Sequence, residues 1–252
     1  MNASISHSSL TQPLPEGIVR LSTPQFHTAV LALQPEVAVF DCDGTLWSGD
    51  AGSAFMKWSM ERGLLSREAS DYLDGRHRSY RRGDVSELVI CGEMVQVYHG
   101  LRLEEMRAAA AEFFQRHVEP NIFPEMLSLV TELQKRGTEI WAVSSTNDWV
   151  IEEGMKRFSI PADHILAASV HVREGVVTED LRHVPTDEGK VTALAASGVT
   201  TPDVVFGNSV HDAAMLAIAR RPYAVNPSDA LLEECLRREW PVYFPSSVEP
   251  PR

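Results

Sequence analysis

Short apolar runs that end in small polar or acidic residues recur along the chain, and amphipathic segments separate them. Such a run predicts a strand buried in a parallel sheet, whereas apolar positions three or four residues apart predict a helix. The predicted strands lie at 37–40, 139–143, 203–206 and 222–225, and helices lie at 124–136, 149–158, 190–197 and 212–220. Strands that alternate with helices predict an α/β fold with a doubly wound parallel sheet.

The stretch 48–118 has a different pattern, because apolar residues keep a helical spacing through it without a convincing strand. We therefore predict an inserted helical cap over 48–118 and a catalytic core formed by 35–47 plus 119–246. Runs at 165–172 and 176–181 flank a turn and predict a hairpin within that core. Residues 1–34 are expected to form an N-terminal extension with a short helix at 26–33.

Composition and charge exclude several function classes. The 252 residues are 44% hydrophobic and 23% charged, which is typical of a globular protein. With 23 Lys plus Arg against 35 Asp plus Glu, the net charge is −12, which argues against nucleic acid as a partner. No apolar run has the length of a membrane span, the N-terminal region lacks a secretory pattern, and the three cysteines lack metal or redox spacing. A cytoplasmic protein that binds no membrane is expected.

Polar segments follow three of the predicted strands, at 41–45, 144–146 and 207–212. In an open α/β sheet, ligands bind beyond the carboxyl ends of the strands, so these segments are expected at one edge. Carboxylates without clustered His or Cys favour Mg²⁺. Lys190, at a predicted helix start, and nearby hydroxyls can bind a phosphoryl group. One aspartate can then attack phosphorus while another, two residues further on, protonates the leaving oxygen.

Each candidate also has a purely structural interpretation. The Asp-Gly-Thr sequence within 41–45 favours a tight turn, and Ser144, Ser145 or Thr146 can cap the next helix. Lys190 can be a solvated helix residue, and Asp50 can cap a helix in the insert. Catalysis is favoured for the set as a whole, because all the segments occur together in the expected context.

The set resembles the four motifs of the haloacid dehalogenase-like (HAD) superfamily. Asp41-Cys42-Asp43-Gly44-Thr45 is similar to motif I, Ser144 to motif II, Lys190 to motif III and the segment 207–212 to motif IV. The order and spacing agree over about residues 37–226. The helical insert and the hairpin before Lys190 resemble the phosphoserine-phosphatase-like subgroup with its helical cap.

This resemblance implies a Mg²⁺-dependent phosphatase that hydrolyses a small phosphomonoester through an aspartyl-phosphate. Asp41 would be the nucleophile, and Asp43 would be the general acid and then the general base. The second aspartate argues for phosphoryl chemistry, because the dehalogenases of the superfamily lack it. By the same resemblance, Ser144, Ser145 and Lys190 would bind the phosphoryl group, and Asp41, Asp43, Asn208 and Asp212 would bind the metal.

Two departures from the subgroup affect the expected function. Motif IV begins Gly-Asn where phosphoserine phosphatases have Gly-Asp, so weaker Mg²⁺ binding is expected at Asn208. The acidic residue that meets the substrate amine corresponds to Asp50, but no arginine matches the one that meets the substrate carboxylate. The substrate class therefore stays open among phosphoserine, a phosphorylated amino alcohol and another small phosphomonoester. There are two alternatives to a phosphatase: a catalytically weakened protein that binds a phosphometabolite, and a phosphotransferase. The sequence leaves the oligomeric state open.

Overall fold

A computed structural model describes residues 14–248, so residues 1–13 of the predicted extension lie outside it. Within the described range, eight strands form one sheet in the order β1-β8-β7-β6-β2-β3-β4-β5. Neighbouring strands are parallel except for the antiparallel β4–β5 pair. The strands are β1 (Arg20–Leu21), β2 (Val37–Phe40), β3 (Glu139–Asn147), β4 (Ile165–Arg173), β5 (Val176–His183), β6 (Val204–Gly207), β7 (Arg221–Val225) and β8 (Val242–Tyr243).

The central strands are built from nearly continuous apolar sequence, as expected for strands covered on both faces. In β2, Ala38 is in register with Val204 of β6 and with Ile140 of β3. The rings of Phe40 and Phe206 stack with centroids 4.3 Å apart. This packing fixes β6, β2 and β3 side by side, and so places the residues that follow them next to one another.

Helices cover both faces of the sheet. The core clusters on the two faces use alternate residues of the same strands, with Phe40 on one side and Val39 on the other. In chain order the α-helices are α1 (Thr23–Ala32), α2 (Ala51–Glu61), α3 (Arg67–Arg81), α4 (Glu87–Gln96), α5 (Leu103–Phe113), α6 (Pro124–Lys135), α7 (Asp148–Arg157), α8 (Glu188–Ala196), α9 (Ala213–Ala217) and α10 (Asp229–Arg238).

Four of these helices, α2 to α5, lie within residues 48–118, where the sequence predicts a helical insert. Ser66 and Ser86 cap α3 and α4 by accepting hydrogen bonds from backbone N–H groups of the first turn. The insert also contacts the β4–β5 hairpin: the Gly100 N–H donates to Val177 O, and the Val177 N–H donates to Leu101 O, both at 2.9 Å.

The predicted α/β fold class is confirmed, and the differences between the predicted and the observed elements are local. β3 continues past the predicted end at residue 143, because its polar residues still pair with β4 across an irregularity after Ser144. The predicted helix 212–220 is shorter, since a 3₁₀ turn precedes α9. The elements β1, α10 and β8 were not predicted. β1 pairs with β8, and Phe26 of α1 stacks on Tyr243 at 4.1 Å, so the described part of the predicted extension joins the sheet.

None of the helices within residues 14–248 is both long enough and apolar enough to span a bilayer.

Candidate active site

The polar segments predicted to share one edge of the sheet do come together there. Asp41 follows β2 directly, the segment 144–147 ends β3, and Asn208 follows β6. A pocket of about 210 Å³ lies at these strand ends, and all of these residues line it together with Lys190 of α8. The geometry therefore joins residues that lie far apart in the sequence.

Lys190 is the centre of a buried ion cluster. Its Nζ atom donates to Asp41 Oδ1 at 2.8 Å and to Asp212 Oδ1 at 2.6 Å. It also contacts the Val143 carbonyl oxygen at 3.3 Å. Lys190 is 2% exposed, Asp41 is 6% exposed and Asp212 is fully buried. Lys190 is therefore a buried part of this cluster and not a solvated helix residue.

Asp212 is held by the backbone that surrounds it. Its Oδ2 atom accepts hydrogen bonds from the N–H groups of Asn208 and Ser209, both at 2.9 Å. A Cβ atom at Gly207 would lie 2.6 Å from Asp212 Cβ, so the glycine leaves the space that this carboxylate needs. The segment 207–212 thus presents Asp212 to Lys190 in one orientation.

Asp41 is oriented by two hydrogen bonds, one to each carboxylate oxygen. Lys190 binds Oδ1, and the Thr45 hydroxyl donates to Oδ2 at 2.9 Å. Burial and repulsion from Asp212 raise the pKa of Asp41 above its ordinary value, although Lys190 opposes this. One lysine does not balance two buried carboxylates, which leaves the cluster with excess negative charge.

Asp43 lies beside this cluster in a separate hydrogen-bond network. Its Oδ1 atom accepts from Trp47 Nε1 at 2.6 Å and from the Ala51 N–H at 2.9 Å, and the Thr146 hydroxyl donates to Oδ2 at 2.7 Å. Burial, followed by repulsion from Asp50, raises the pKa of Asp43 to about 6. A carboxyl group with a raised pKa is suited to exchange a proton near neutral pH.

The remaining predicted phosphate and metal residues line the same pocket. Ser144 is 2% exposed and its Oγ accepts from the Thr146 N–H at 3.1 Å. Ser145 instead donates its hydroxyl to Glu87 Oε1 at 3.2 Å. The Asn208 side chain packs over Gly44, where the φ angle is +74° and a Cβ atom would lie 1.9 Å from Asn208 Nδ2. Motif I and motif IV are thus in direct contact.

Asp50 lies at the pocket and also caps α2. Its carboxylate accepts from the Ser53 N–H at 2.8 Å and from the Ser53 hydroxyl at 2.6 Å. The helix-capping role that the sequence allows for Asp50 is therefore present in the structure. His211, beside Asp212 in the sequence, places Nδ1 2.8 Å from Asp187 and Nε2 3.3 Å from Glu87.

Sequence reasoning assigned no role in the site to Thr45, Trp47, Thr146 and Glu87. Thr45 lies inside motif I and Thr146 lies inside the predicted polar segment 144–146, so both are close to recognised signals. Trp47 packs in the core, and its ring N–H also donates to Asp43. Nothing in the sequence pattern of α4 distinguishes Glu87 from a solvated first-turn glutamate.

The fold and the candidate site together are typical of an α/β enzyme that binds its ligand beyond the strand ends. A family model described as haloacid dehalogenase-like hydrolase matches residues 38–217. The chain belongs to this family, which confirms the resemblance that its motifs carry.

Several curated relatives share most of the chain at low identity. A histidinol-phosphatase from Neisseria meningitidis is 26% identical over 217 residues, which cover 82% of this chain and 97% of that protein. A probable phosphatase from Mycobacterium tuberculosis is 25% identical over 238 residues, which cover 88% of this chain and 80% of that protein.

Solved structures agree with the fold. A protein of unknown function from Bordetella pertussis Tohama I superposes with a TM-score of 0.72 at 24% identity, covering 82% of this chain and 97% of that one. A substrate-bound phosphoserine phosphatase gives a TM-score of 0.57 at 15% identity, covering 84% of this chain and 93% of that one. At these identities the likeness concerns the fold.

Proposed function

We propose that this protein is a Mg²⁺-dependent phosphatase that hydrolyses a small phosphomonoester through an aspartyl-phosphate on Asp41. The observation that carries the proposal is the buried contact of Lys190 with both Asp41 and Asp212, next to the separately held Asp43. Family membership supports it, and so do the relatives that are named phosphatases.

In the first step, a carboxylate oxygen of Asp41 forms a bond to phosphorus while the ester P–O bond breaks. Thr45 and Lys190 hold this carboxylate in place, so little reorientation is needed before attack. Asp43 gives its proton to the leaving alcohol, which its raised pKa favours. In the second step Asp43 takes a proton from water, and that water attacks the phosphorus and releases Asp41.

The phosphoryl oxygens need donors and positive charge. Lys190 supplies a cation at the bottom of the pocket, and the hydroxyl group of Ser144 lines the same end. Ser145 keeps the same role in the proposal, although its hydroxyl binds Glu87 in the described structure. These groups would stabilise the charge that the phosphoryl group carries during transfer.

The donor set fits Mg²⁺, which is commonly bound by one or two carboxylates together with substrate and water oxygens. Within the described residues, no group of three or more His, Cys, Asp or Glu forms a metal cluster by itself, so neutral oxygens must contribute. The proposed ligands are the Asp41 carboxylate, the Asp43 carbonyl, the Asn208 amide oxygen and Asp212, either directly or through water. When bound, the ion would neutralise the excess carboxylate charge and polarise the phosphoryl group.

The proposed substrate carries an amine. Asp50 lies at the pocket and keeps a carboxylate at the position that the sequence resemblance assigns to amine binding. A relative named histidinol-phosphatase supports this class, because histidinol phosphate bears amino and imidazole nitrogens. Phosphoserine and phosphorylated amino alcohols are further members of the same class.

Phosphate release from a panel of phosphomonoesters, with Mg²⁺ or with EDTA, tests the proposal. We expect Mg²⁺-dependent release that falls about 10³-fold or more in Asp41→Asn, because the amide cannot act as the nucleophile. Asp84→Asn is the matched control, since this aspartate is exposed and pairs with Arg82 on the surface. Full activity of Asp41→Asn would contradict the nucleophile assignment.

A second candidate function is binding of a phosphometabolite without turnover, and Asn208 is the observation that favours it. An asparagine brings no charge to a metal site where a carboxylate would add one. Turnover gained by Asn208→Asp from an inactive parent would support this alternative. Turnover by the unmodified protein would exclude it.

A further inference from the structure

The residues that line the pocket come from two parts of the chain with different chemistry. We call the part lined by Lys190 and the hydroxyl-rich end of β3 the inner end, where the phosphoryl group is proposed to bind. We call the part lined by the insert, which contributes Asp50, Tyr80 and Glu87, the outer end. The leaving group of a phosphomonoester bound at the inner end would lie against this outer end.

Glu87 is held in the pocket by donors that do not cancel its charge. It is the first residue of α4, and its side chain is 12% exposed. The Tyr80 hydroxyl donates to Oε2, and the Ser145 hydroxyl donates to Oε1 at 3.2 Å. Neutral donors fix the orientation of a carboxylate, whereas neutralising it requires a cation.

Asp50 has a capping role in its own helix, whereas the donors to Glu87 come from other elements. Both of its carboxylate oxygens accept hydrogen bonds from Ser53, and the residue caps α2. His77 contacts the same serine hydroxyl at 3.0 Å. Asp50 therefore adds negative charge to the outer end, while its oxygens already have partners on its own helix.

The cations around the pocket are few. Among the described residues that line it, Lys190 is the one lysine or arginine, and Asp41 and Asp212 already bind it. His211 contacts two carboxylates with different ring nitrogens, Asp187 through Nδ1 at 2.8 Å and Glu87 through Nε2 at 3.3 Å, so Glu87 shares this group with Asp187. A carboxylate on the substrate would find no lysine or arginine at the outer end, whereas an ammonium group would meet Glu87.

We propose that Glu87 binds a cationic nitrogen group of the leaving alcohol and determines specificity for phosphomonoesters that carry such a group and no carboxylate. This inference rests on the proposed phosphatase function and names the residue and the charge class that set its specificity. The cationic group of the substrate would then be bound by a residue of α4 as well as at the position of Asp50.

The test compares pairs of substrates that differ in one charge. Aminoalkyl phosphates of increasing length are each paired with the alkyl phosphate that lacks the amine, and phosphoserine is compared with phosphoethanolamine. We expect the unmodified protein to prefer the amine in at least one pair and to disfavour phosphoserine. In Glu87→Gln, the amine-to-alkyl ratio of kcat/KM should fall about 10- to 100-fold, mainly through KM.

Two variants make this result specific. Glu68→Gln is the matched control, because Glu68 also lies in the first turn of an insert helix but is exposed and does not line this pocket. It should leave the ratio within about threefold of the starting value. Glu87→Asp keeps the charge and should retain part of the preference.

The outcomes separate this inference from the proposed function. A ratio that changes by less than about threefold in Glu87→Gln overturns the inference, even if activity on every substrate falls together. That pattern would instead assign Glu87 to holding the insert against the sheet through Ser145 and His211. Absence of phosphate release from every compound by the unmodified protein would contradict the phosphatase function itself.

Discussion

Replacing Lys190 with methionine tests the physical basis of the site without measuring activity. Methionine keeps much of the apolar stem but removes the ammonium group that binds Asp41 and Asp212. A hydrogen bond to a charged group contributes about 1.5–3 kcal/mol, and breaking a buried ion pair costs about 3–5 kcal/mol. Lys190 makes two such contacts at 2.8 and 2.6 Å with nearly complete burial. We therefore expect Lys190→Met to lower the free energy of unfolding by about 3–5 kcal/mol at pH 8.

Urea unfolding in the presence of EDTA measures this change, because EDTA prevents a metal ion from replacing the lost cation. With a denaturant slope of about 3 kcal/mol/M for a chain of this size, the midpoint should fall by about 1–2 M. Lys156→Met is the matched control, since Lys156 is 60% exposed and pairs with Glu153 on the surface of α7. Its effect should be about 0.5 kcal/mol or less.

The loss of unfolding free energy in Lys190→Met should depend on pH in a defined direction. Burial already raises the pKa of Asp41, and removing Lys190 removes the charge that lowers it. A carboxyl group with a raised pKa in the folded state binds more protons there than in the unfolded state, so stability falls as pH rises. The difference between Lys190→Met and the unmodified protein should therefore be larger at pH 8 than at pH 5. A small midpoint shift of equal size at both pH values would refute the buried-charge reasoning.

Two further variants test neighbouring features. In Gly207→Ala the added methyl group would lie 2.6 Å from Asp212 Cβ. We therefore expect the free energy of unfolding to fall by about 1–3 kcal/mol and phosphate release to weaken. Gly75→Ala is the control: the nearest atom to its added methyl group would lie at 3.9 Å, so this variant should be neutral or stabilising. Among residues 14–248, no hydrogen-bond partner reaches the buried Oδ1 atom of Asp148, and burial raises the pKa of this residue to about 7. The cost of ionising Asp148 in the folded state grows as pH rises from about 4 to 7 and stays in full above that range, so Asp148→Asn should raise the unfolding free energy by about 1–3 kcal/mol at pH 8. This gain in the free energy of unfolding should vanish near pH 4. A gain that is independent of pH would contradict the raised pKa of Asp148.

The sheet and the inner end of the site follow from features that are local in sequence. Each central strand is an apolar run, and each run ends in the polar residues that then lie at the strand ends. Parallel strands bring these ends to one edge, so Asp41 and Lys190, 149 positions apart, meet at 2.8 Å. The motif order was sufficient to predict this meeting, because it identifies which strand ends lie together.

The outer end of the site could not be predicted in this way. Glu87 reaches the pocket because α4 packs against the sheet and the hairpin, and that docking depends on contacts between distant segments. The ring N–H of Trp47 binds Asp43 because a buried indole needs a hydrogen-bond partner, and the sequence does not show which acceptor lies within reach. Short strands such as β8 carry too few residues to produce a periodic pattern.

In the proposed function the two ends of the pocket have opposite electrostatic requirements, and different parts of the chain supply them. The inner end would hold a phosphoryl dianion beside carboxylates, so it would need cations, and Lys190 alone does not balance Asp41 and Asp212. The outer end would face the leaving group and presents Glu87 from a helix of the insert. Because these groups lie on separate elements, substitutions in α4 should change which esters bind while leaving the charge balance around Asp41 intact. Specificity and phosphoryl transfer would then be separable by mutation, and the Glu87 and Lys190 variants together test that separation.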